Sequence, residues 1–177
     1  QPAPLGVYGH TKWQGEQAVL ERGAHGVVLR TSWVYASGGR NFVSTMLRLM
    51  RARGEVKVVS DQIGCPTSTR GLAEICWALA LNQGAAGVFH WSDAGAISWF
   101  DFACAIRDEA LKLGLLSQPV VVEPITSEAF PTKAQRPAYS VLDASATCLK
   151  LGVSQQPWRD ALRDMLRSLQ SDQEQTV

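Results

Sequence analysis

Near the start of the chain Tyr8, Gly9, His10, Thr11 and Lys12 follow one another, with Glu16 four residues further on. Tyr8 and Lys12 are four apart, so a helix through them places phenol and ammonium on one face. A free phenol titrates near ~10, and a cation beside it favours the phenolate, bringing such a group toward a pH at which it can give a proton and take it back. By itself the pair is a weak sign, because a Tyr and a Lys fall at this spacing by chance. Other reactive side chains are sparse. Cys65, Cys76, Cys104 and Cys148 lie far apart, with no Cys-x-x-Cys pair and no histidine at metal-ligand spacing, which argues against zinc and dithiol sites. Reduced thiols of this kind fit a cytoplasmic protein. His10, His25 and His90 have no partner pattern, and surface or structural roles are expected of them.

The elements that must position Tyr8 and Lys12 alternate between helix and strand. Thr11 to Arg22 is rich in helix formers and stops before Gly23, and Val27 to Tyr35 reads as one buried β-branched strand. Asn41 can cap a helix in which Phe42, Met46, Leu47 and Met50 recur at helical spacing. Val56 to Val59 is a short strand, Thr69 to Leu81 an amphipathic helix, and Val88 to Trp91 strand-like. Ser98 caps a helix running to Leu113 and closed by Gly114, and Pro119 to Ile125 is extended. Thr126 to Tyr139 reads as loop. Pro157 opens a helix with Trp158, Leu162, Met165, Leu166 and Leu169 along one face, and 171–177 reads as a disordered tail. Such alternation predicts an α/β protein with at least part of a parallel sheet, residues 1–170 forming a single unit.

Composition narrows the partners. The 177 residues are 46% hydrophobic and 19% charged, with 17 basic against 16 acidic side chains and a net charge of +1. No block of one sign offers a nucleic-acid or membrane footprint. The longest strongly apolar stretch, Leu72 to Leu81, is about ten residues, against the ~20 that span a bilayer. Small molecules or other proteins are the expected partners.

The wider pattern carries a resemblance. The Tyr8 to Lys12 block, the strand Leu29-Arg30-Thr31-Ser32-Trp33-Val34-Tyr35, Arg40-Asn41-Phe42, Val58-Val59-Ser60-Asp61-Gln62 with Gly64 and Pro66-Thr67, Gly87-Val88-Phe89-His90, Ser98-Trp99-Phe100-Asp101-Phe102, and Arg136-Pro137 before Ser140 stand in order. That series resembles the dTDP-4-dehydrorhamnose reductases of the extended short-chain dehydrogenase/reductase family, from Tyr8 nearly to Leu169. The resemblance implies the C-terminal part of that fold: a Rossmann-like parallel sheet and a small substrate-binding α/β region, with the N-terminal dinucleotide-binding half absent. It also implies reduction of the C4 ketone of dTDP-4-dehydro-6-deoxy-L-mannose to dTDP-L-rhamnose with NADPH, or NADH.

On this resemblance Tyr8 supplies the proton and Lys12 holds the nicotinamide ribose and eases ionisation of the phenol. Trp33 matches a substrate-contacting Trp whose indole face packs on a sugar ring, although without the family a core aromatic is the better reading. Asn41, Gln62 and Arg136 are further substrate-binding candidates, weaker than Trp33. Arg136, ahead of Pro137, has the planar fork that suits a diphosphate, and a solvated surface Arg is the equal alternative. Trp13, Trp77, Trp91, Trp99 and Trp158 are expected to be packing residues.

The sequence also departs from the pattern. It has no Gly-x-Gly-x-x-Gly turn to seat a pyrophosphate and no upstream Ser/Thr to complete the catalytic trio. The chain alone is therefore expected to be inactive. Some members of the family are dimers joined through carboxylate-bound magnesium, and Arg70 and Arg159 stand where two carboxylates are expected, so no such metal is expected and a homodimer is left open. Two rival readings share the architecture: a non-catalytic regulatory subunit of the methionine adenosyltransferase type, and a nucleotide-sugar epimerase or dehydratase. Tyr8, Lys12 and Trp33 favour the reductase.

Overall fold

The computed structural model describes residues 2–134 and 136–174. In chain order the elements are α1 (Val7–Leu20), β1 (Val27–Arg30), β2 (Val34–Tyr35), α2 (Phe42–Ala52), β3 (Glu55–Val59), β4 (Ile63–Gly64), β5 (Thr67–Ser68), α3 (Thr69–Leu81), β6 (Gly87–His90), β7 (Ile97–Ser98), α4 (Trp99–Lys112), β8 (Val121–Ile125), α5 (Ser145–Leu151) and α6 (Trp158–Glu174). The strands pair two by two: β1 with β6, β2 with β5 and β3 with β8 run parallel, and β4 with β7 antiparallel. Every parallel pair is bridged by at least one helix, as a parallel crossover requires. The α/β class with parallel strands is as expected.

Local chemistry sets the boundaries. Asn41 and Ser98 each form a capping box, their side chains accepting from the amides of Ser44 and Asp101, while Ser68 accepts from the amide of Gly71 to start α3. Gly114, at φ +69, follows the C-cap of α4. At the turn from α1 into β1, a Cβ on Gly26 would lie 2.3 Å from the carbonyl oxygen of Val19. Only glycine lets the strand leave so close to the helix end.

Several expectations need correction. The stretch Val27 to Tyr35 is two strands, not one, broken at Thr31 to Trp33, where Trp33 takes φ +47. A left-handed residue cannot continue a pleated ladder. α1 begins at Val7 rather than Thr11, so Tyr8 and Lys12 lie in the same helix. α5 was not expected: its seven residues are too few for a period to emerge, and it ends on Gly152 at φ +65. A 3₁₀ turn at Ser127–Ala129 interrupts the stretch read as loop. α6 continues to Glu174, into the stretch read as a tail; residues 175–177 lie outside the described residues.

Apolar side chains gather in two groups. The larger joins Val43, Leu47 and Met50 of α2, Val56 and Val58 of β3, Phe102 and Ile106 of α4, Val122 of β8, and Leu162 and Leu166 of α6. The smaller joins Ile75 and Leu79 of α3 with Trp91 and Ala144, and Leu29, Phe89 and Cys148 pack against it.

Two buried carboxylates stand out against this packing. Glu109 of α4, 2% exposed, accepts from Arg159 at 3.0 Å and Arg163 at 3.1 Å, both on α6, and from Lys112 at 3.2 Å. These donors, Arg163 foremost, hold its carboxyl down at about 2 against the opposing effect of burial. Asp93, also 2% exposed, accepts the amide of Ser68 at 2.9 Å and a long hydrogen bond from the Tyr35 hydroxyl at 3.5 Å. Burial outweighs these bonds and lifts its carboxyl to about 6, while burial and the Asp93 charge push the Tyr35 phenol up.

Candidate active site

α1 lies on the body through one stripe. Gly9, Trp13, Glu16 and Leu20 are its half-buried residues, spaced four, three and four apart as a helix face demands. None of its residues is fully buried. Glu16 is clamped by Arg30 at the end of β1, which donates from Nε at 2.8 Å and Nη2 at 2.6 Å. This two-pronged bond lowers the Glu16 carboxyl and fixes the rotation of α1 about its axis.

With α1 so turned, Tyr8 and Lys12 project outward. Lys12 Nζ lies 5.6 Å from the centre of the Tyr8 ring, and Tyr8 is 77% exposed. The contact is the i,i+4 neighbourhood that the spacing predicts. Lys12 also borders a cleft of about 240 Å³ with Pro4, Gly9, Trp13, Glu16 and Arg30. An exposed phenol beside an ammonium can donate a proton to a ligand laid across the helix face and stabilise the charge left behind.

A second cavity has a lining of its own. A cavity of about 450 Å³ is lined by Phe42, Leu49, Trp99, Phe130, Gln62 and Arg136 among others. Gln62 donates from Nε2 to Ser127 Oγ at 2.8 Å, and Ser127 in turn donates to Asp61 from its amide and hydroxyl. Two backbone bonds, Ile63 N to Ala138 O and Ser140 N to Ile63 O, both 2.8 Å, pin the loop that carries Arg136 beside Gln62. Lys57 of this cavity is paired with Glu123 at 3.0 Å, whereas Arg136 makes no ion pair among the described residues. The cavity therefore offers apolar walls, an amide and one available guanidinium, a set that suits a ring joined to an anionic group.

Trp33 is joined to this cavity through Trp99. The two indoles stack with centroids 3.6 Å apart and planes 10° from parallel, and Phe42 leans on Trp99 at 4.6 Å. Asn41 immediately precedes Phe42, but its own amide is occupied: it accepts from Ser44 N at 3.1 Å and donates to Ala36 O at 2.8 Å.

Thus Gln62 and Arg136 share one cavity, with Trp33 behind its wall and Asn41 capping the adjoining helix. Lys12 borders a different cleft, on α1, and the exposed Tyr8 ring lies beside it. Trp99, expected only to pack, is a wall of the cavity; its place in Ser98-Trp99-Phe100, at the first turn of a capped helix, was the available signal. Among the described residues no three His, Cys, Asp or Glu side chains are placed to hold a metal ion. Arg70 lies 3.6 Å from Glu74, and Arg159 is bound to Glu109. None of the described helices is long and apolar enough to cross a membrane.

Known proteins share this arrangement of elements. The family model described as RmlD substrate binding domain matches residues 1–171. The chain is 41% identical to the spore coat polysaccharide biosynthesis protein SpsK of Bacillus subtilis, covering 95% of this chain and 56% of that protein. It is 38% identical to dTDP-4-dehydrorhamnose reductase of Escherichia coli K12, covering 94% and 57%. Among solved structures, dTDP-4-dehydrorhamnose reductase from Bacillus anthracis in complex with NADP superposes with a TM-score of 0.86 at 37% identity, over 95% of this chain and 57% of that one. The chain thus spans a little over half the length of the relatives it matches. With that coverage and the motifs above in register, the chain belongs to the RmlD substrate binding domain family.

Proposed function

We propose that this chain is the proton-donating and substrate-binding part of an NADPH-dependent reductase that converts the C4 ketone of dTDP-4-dehydro-6-deoxy-L-mannose to the alcohol of dTDP-L-rhamnose. The observation that carries this reading is the Tyr8–Lys12 pair, open on one face of α1 with Nζ 5.6 Å from the ring, in a chain 38% identical to a dTDP-4-dehydrorhamnose reductase. The pair fits one end of the cofactor, since an exposed ammonium beside a phenol can hold the ribose hydroxyls next to the nicotinamide. No Gly-rich turn for the pyrophosphate occurs in these 177 residues. Bound NADPH would supply the hydride.

The chain's own residues then divide the work. Tyr8 gives its proton to the alkoxide oxygen developing at C4, and Lys12 stabilises the phenolate that remains. Trp33 presents its indole to the sugar ring. Arg136 pairs with the diphosphate, and Gln62, oriented by Ser127, binds a polar group of the nucleotide. Asn41 contributes by fixing the Ala36 to Gly38 backbone ahead of α2.

The test is to express the full-length protein and follow NADPH consumption with dTDP-4-keto-6-deoxy sugar as substrate, identifying the product by nuclear magnetic resonance. Substrate-dependent consumption giving the rhamnose configuration is expected. Failure of a folded, NADPH-binding protein to reduce that ketone would overturn the reading.

A further inference from the structure

We infer that Asp61 is a positioning residue: acting through Ser127, it fixes the polarity of the Gln62 carboxamide, so that Oε1 of Gln62 is the acceptor this cavity offers to the imide N–H of a pyrimidine base. This deepens the reading above, in which the cavity receives the nucleotide, and rests on it.

The contact follows from the register of two strands. β3 and β8 run parallel with Val59 beside Ile125, and Ser60 extends the pairing by donating to Ile125 O from N at 2.9 Å and from Oγ at 3.2 Å. Asp61 and Ser127, the residues just beyond, therefore meet. The Asp61 carboxylate accepts the Ser127 amide at 2.9 Å and the Ser127 hydroxyl at 2.7 Å. These bonds, the amide foremost, draw the Asp61 carboxyl below its usual range, so at neutral pH it is ionised and can only accept.

One proton then decides an orientation. A serine hydroxyl carries a single hydrogen, and Asp61 takes it, which leaves Ser127 Oγ only lone pairs for its other neighbour. Gln62, 2.8 Å away, must therefore turn Nε2 rather than Oε1 toward Ser127. Oε1 is directed away from Ser127, makes no hydrogen bond among the described residues and is not sealed from solvent. Gln62 lines the cavity together with Lys57 and Arg136, whose charged ends only donate, and with the apolar side chains of Phe42, Trp99 and Phe130. A planar base suits both features: its faces rest on apolar walls and its imide N–H meets Oε1. A sugar ring would press unpaired hydroxyls against the same walls.

The experiment titrates the full-length protein calorimetrically with three ligands: dTDP; N3-methyl-dTDP, which lacks the donor; and 5-methyl-dCDP, whose ring nitrogen at that position is an acceptor. The parent should bind dTDP roughly ten- to a hundredfold more tightly than either of the others, the effect of leaving a placed acceptor unpaired. In Asp61→Ala and Ser127→Ala the carboxamide is free to turn Nε2 into the cavity. Both variants should gain affinity for 5-methyl-dCDP, and the preference for dTDP over it should fall to about threefold or less. Ser127→Thr keeps the hydroxyl and should retain the parent's preference, whereas Gln62→Leu should lose it through weaker dTDP binding. Affinity for NADPH should be unchanged in all four variants.

Equal binding of the three ligands by the parent would remove the imide contact. A preference that survives in Asp61→Ala and Ser127→Ala, with parallel losses for every ligand, would reduce Asp61 to a purely structural role and overturn the proposal. So would a Gln62→Leu variant that binds dTDP as the parent does yet shows a raised KM for the sugar nucleotide, because Oε1 would then face a sugar hydroxyl. In each of these cases continued reduction of the 4-keto sugar nucleotide keeps the reductase reading, which fails separately if the folded, NADPH-binding parent does not reduce that ketone.

Discussion

The amide of Ser68 donates to the buried carboxylate of Asp93 at 2.9 Å, joining the residue that caps α3 to the segment that follows β6. Burial raises the Asp93 carboxyl to about 6 from 3.8, so the folded chain holds this proton more tightly than the unfolded chain does. The stabilisation from protonated Asp93 is complete below about pH 4 and is lost as pH rises through 6. Denaturant unfolding of the parent and of Asp93→Asn across pH 4 to 7 should show the parent's relative advantage falling by about 2 kcal/mol. A pH-independent difference would remove Asp93 as the titrating group.

Glu109 behaves in the opposite sense. Its folded carboxyl is held at about 2, below 4.5, so its contribution is present above pH 4.5 and is lost as pH falls through 2. Glu109→Gln removes the buried carboxylate shared by Arg159 and Arg163, which keep Asp108 and Asp160 as partners, and should cost about 1–3 kcal/mol near neutral pH. That cost should shrink in acid, and a deficit as large at pH 2.5 as at pH 7 would contradict the ion-pair origin.

Tyr8→Phe keeps the ring on α1 and removes the proton. In the full-length enzyme kcat should fall by roughly 10²–10⁴ with little change in substrate affinity. Equal turnover by variant and parent would take Tyr8 out of the mechanism.

Sequence reasoning reached these sites unevenly, for physical reasons. α3 could be bounded at Thr69 and Leu81 because Ser68 is a capping residue and its apolar positions repeat at helical spacing. The common face of Tyr8 and Lys12 followed from their separation alone. The break before β2 could not be foreseen, because a left-handed backbone is signalled by glycine or asparagine and here falls on tryptophan. The two-residue strands β4, β5 and β7 are too short for alternation to show. Trp99 looked like any amphipathic helix residue, since its partner Trp33 is distant in the chain and stacking leaves no local trace.

The 177-residue chain by itself should not bind NADPH tightly. It has no Gly-rich helix start to receive a pyrophosphate, and its Tyr8 and Lys12 stand on a helix with no fully buried residue. A misplacement of about 1 Å at such a pair can cost ~100-fold in rate. Calorimetric titration should find no tight binding, and ketone-dependent NADPH oxidation should be absent. Turnover by the purified chain, with full-length contaminant excluded by mass spectrometry, would show that the cofactor site has been misplaced.

The division of the apolar interior into two groups implies that the molecule does not open all at once. Amide hydrogens of α1, which no buried side chain anchors, should exchange with solvent first. Those of α3 and β6, around Ile75, Leu79 and Trp91, should follow as one cooperative unit. The last to exchange should be those of α4, whose Phe102 and Ile106 are wholly enclosed between α2, β3 and α6. The cavity walls Phe42, Leu49 and Trp99 pack against this slowest unit, so they should keep their arrangement through fluctuations that release the helix bearing Tyr8.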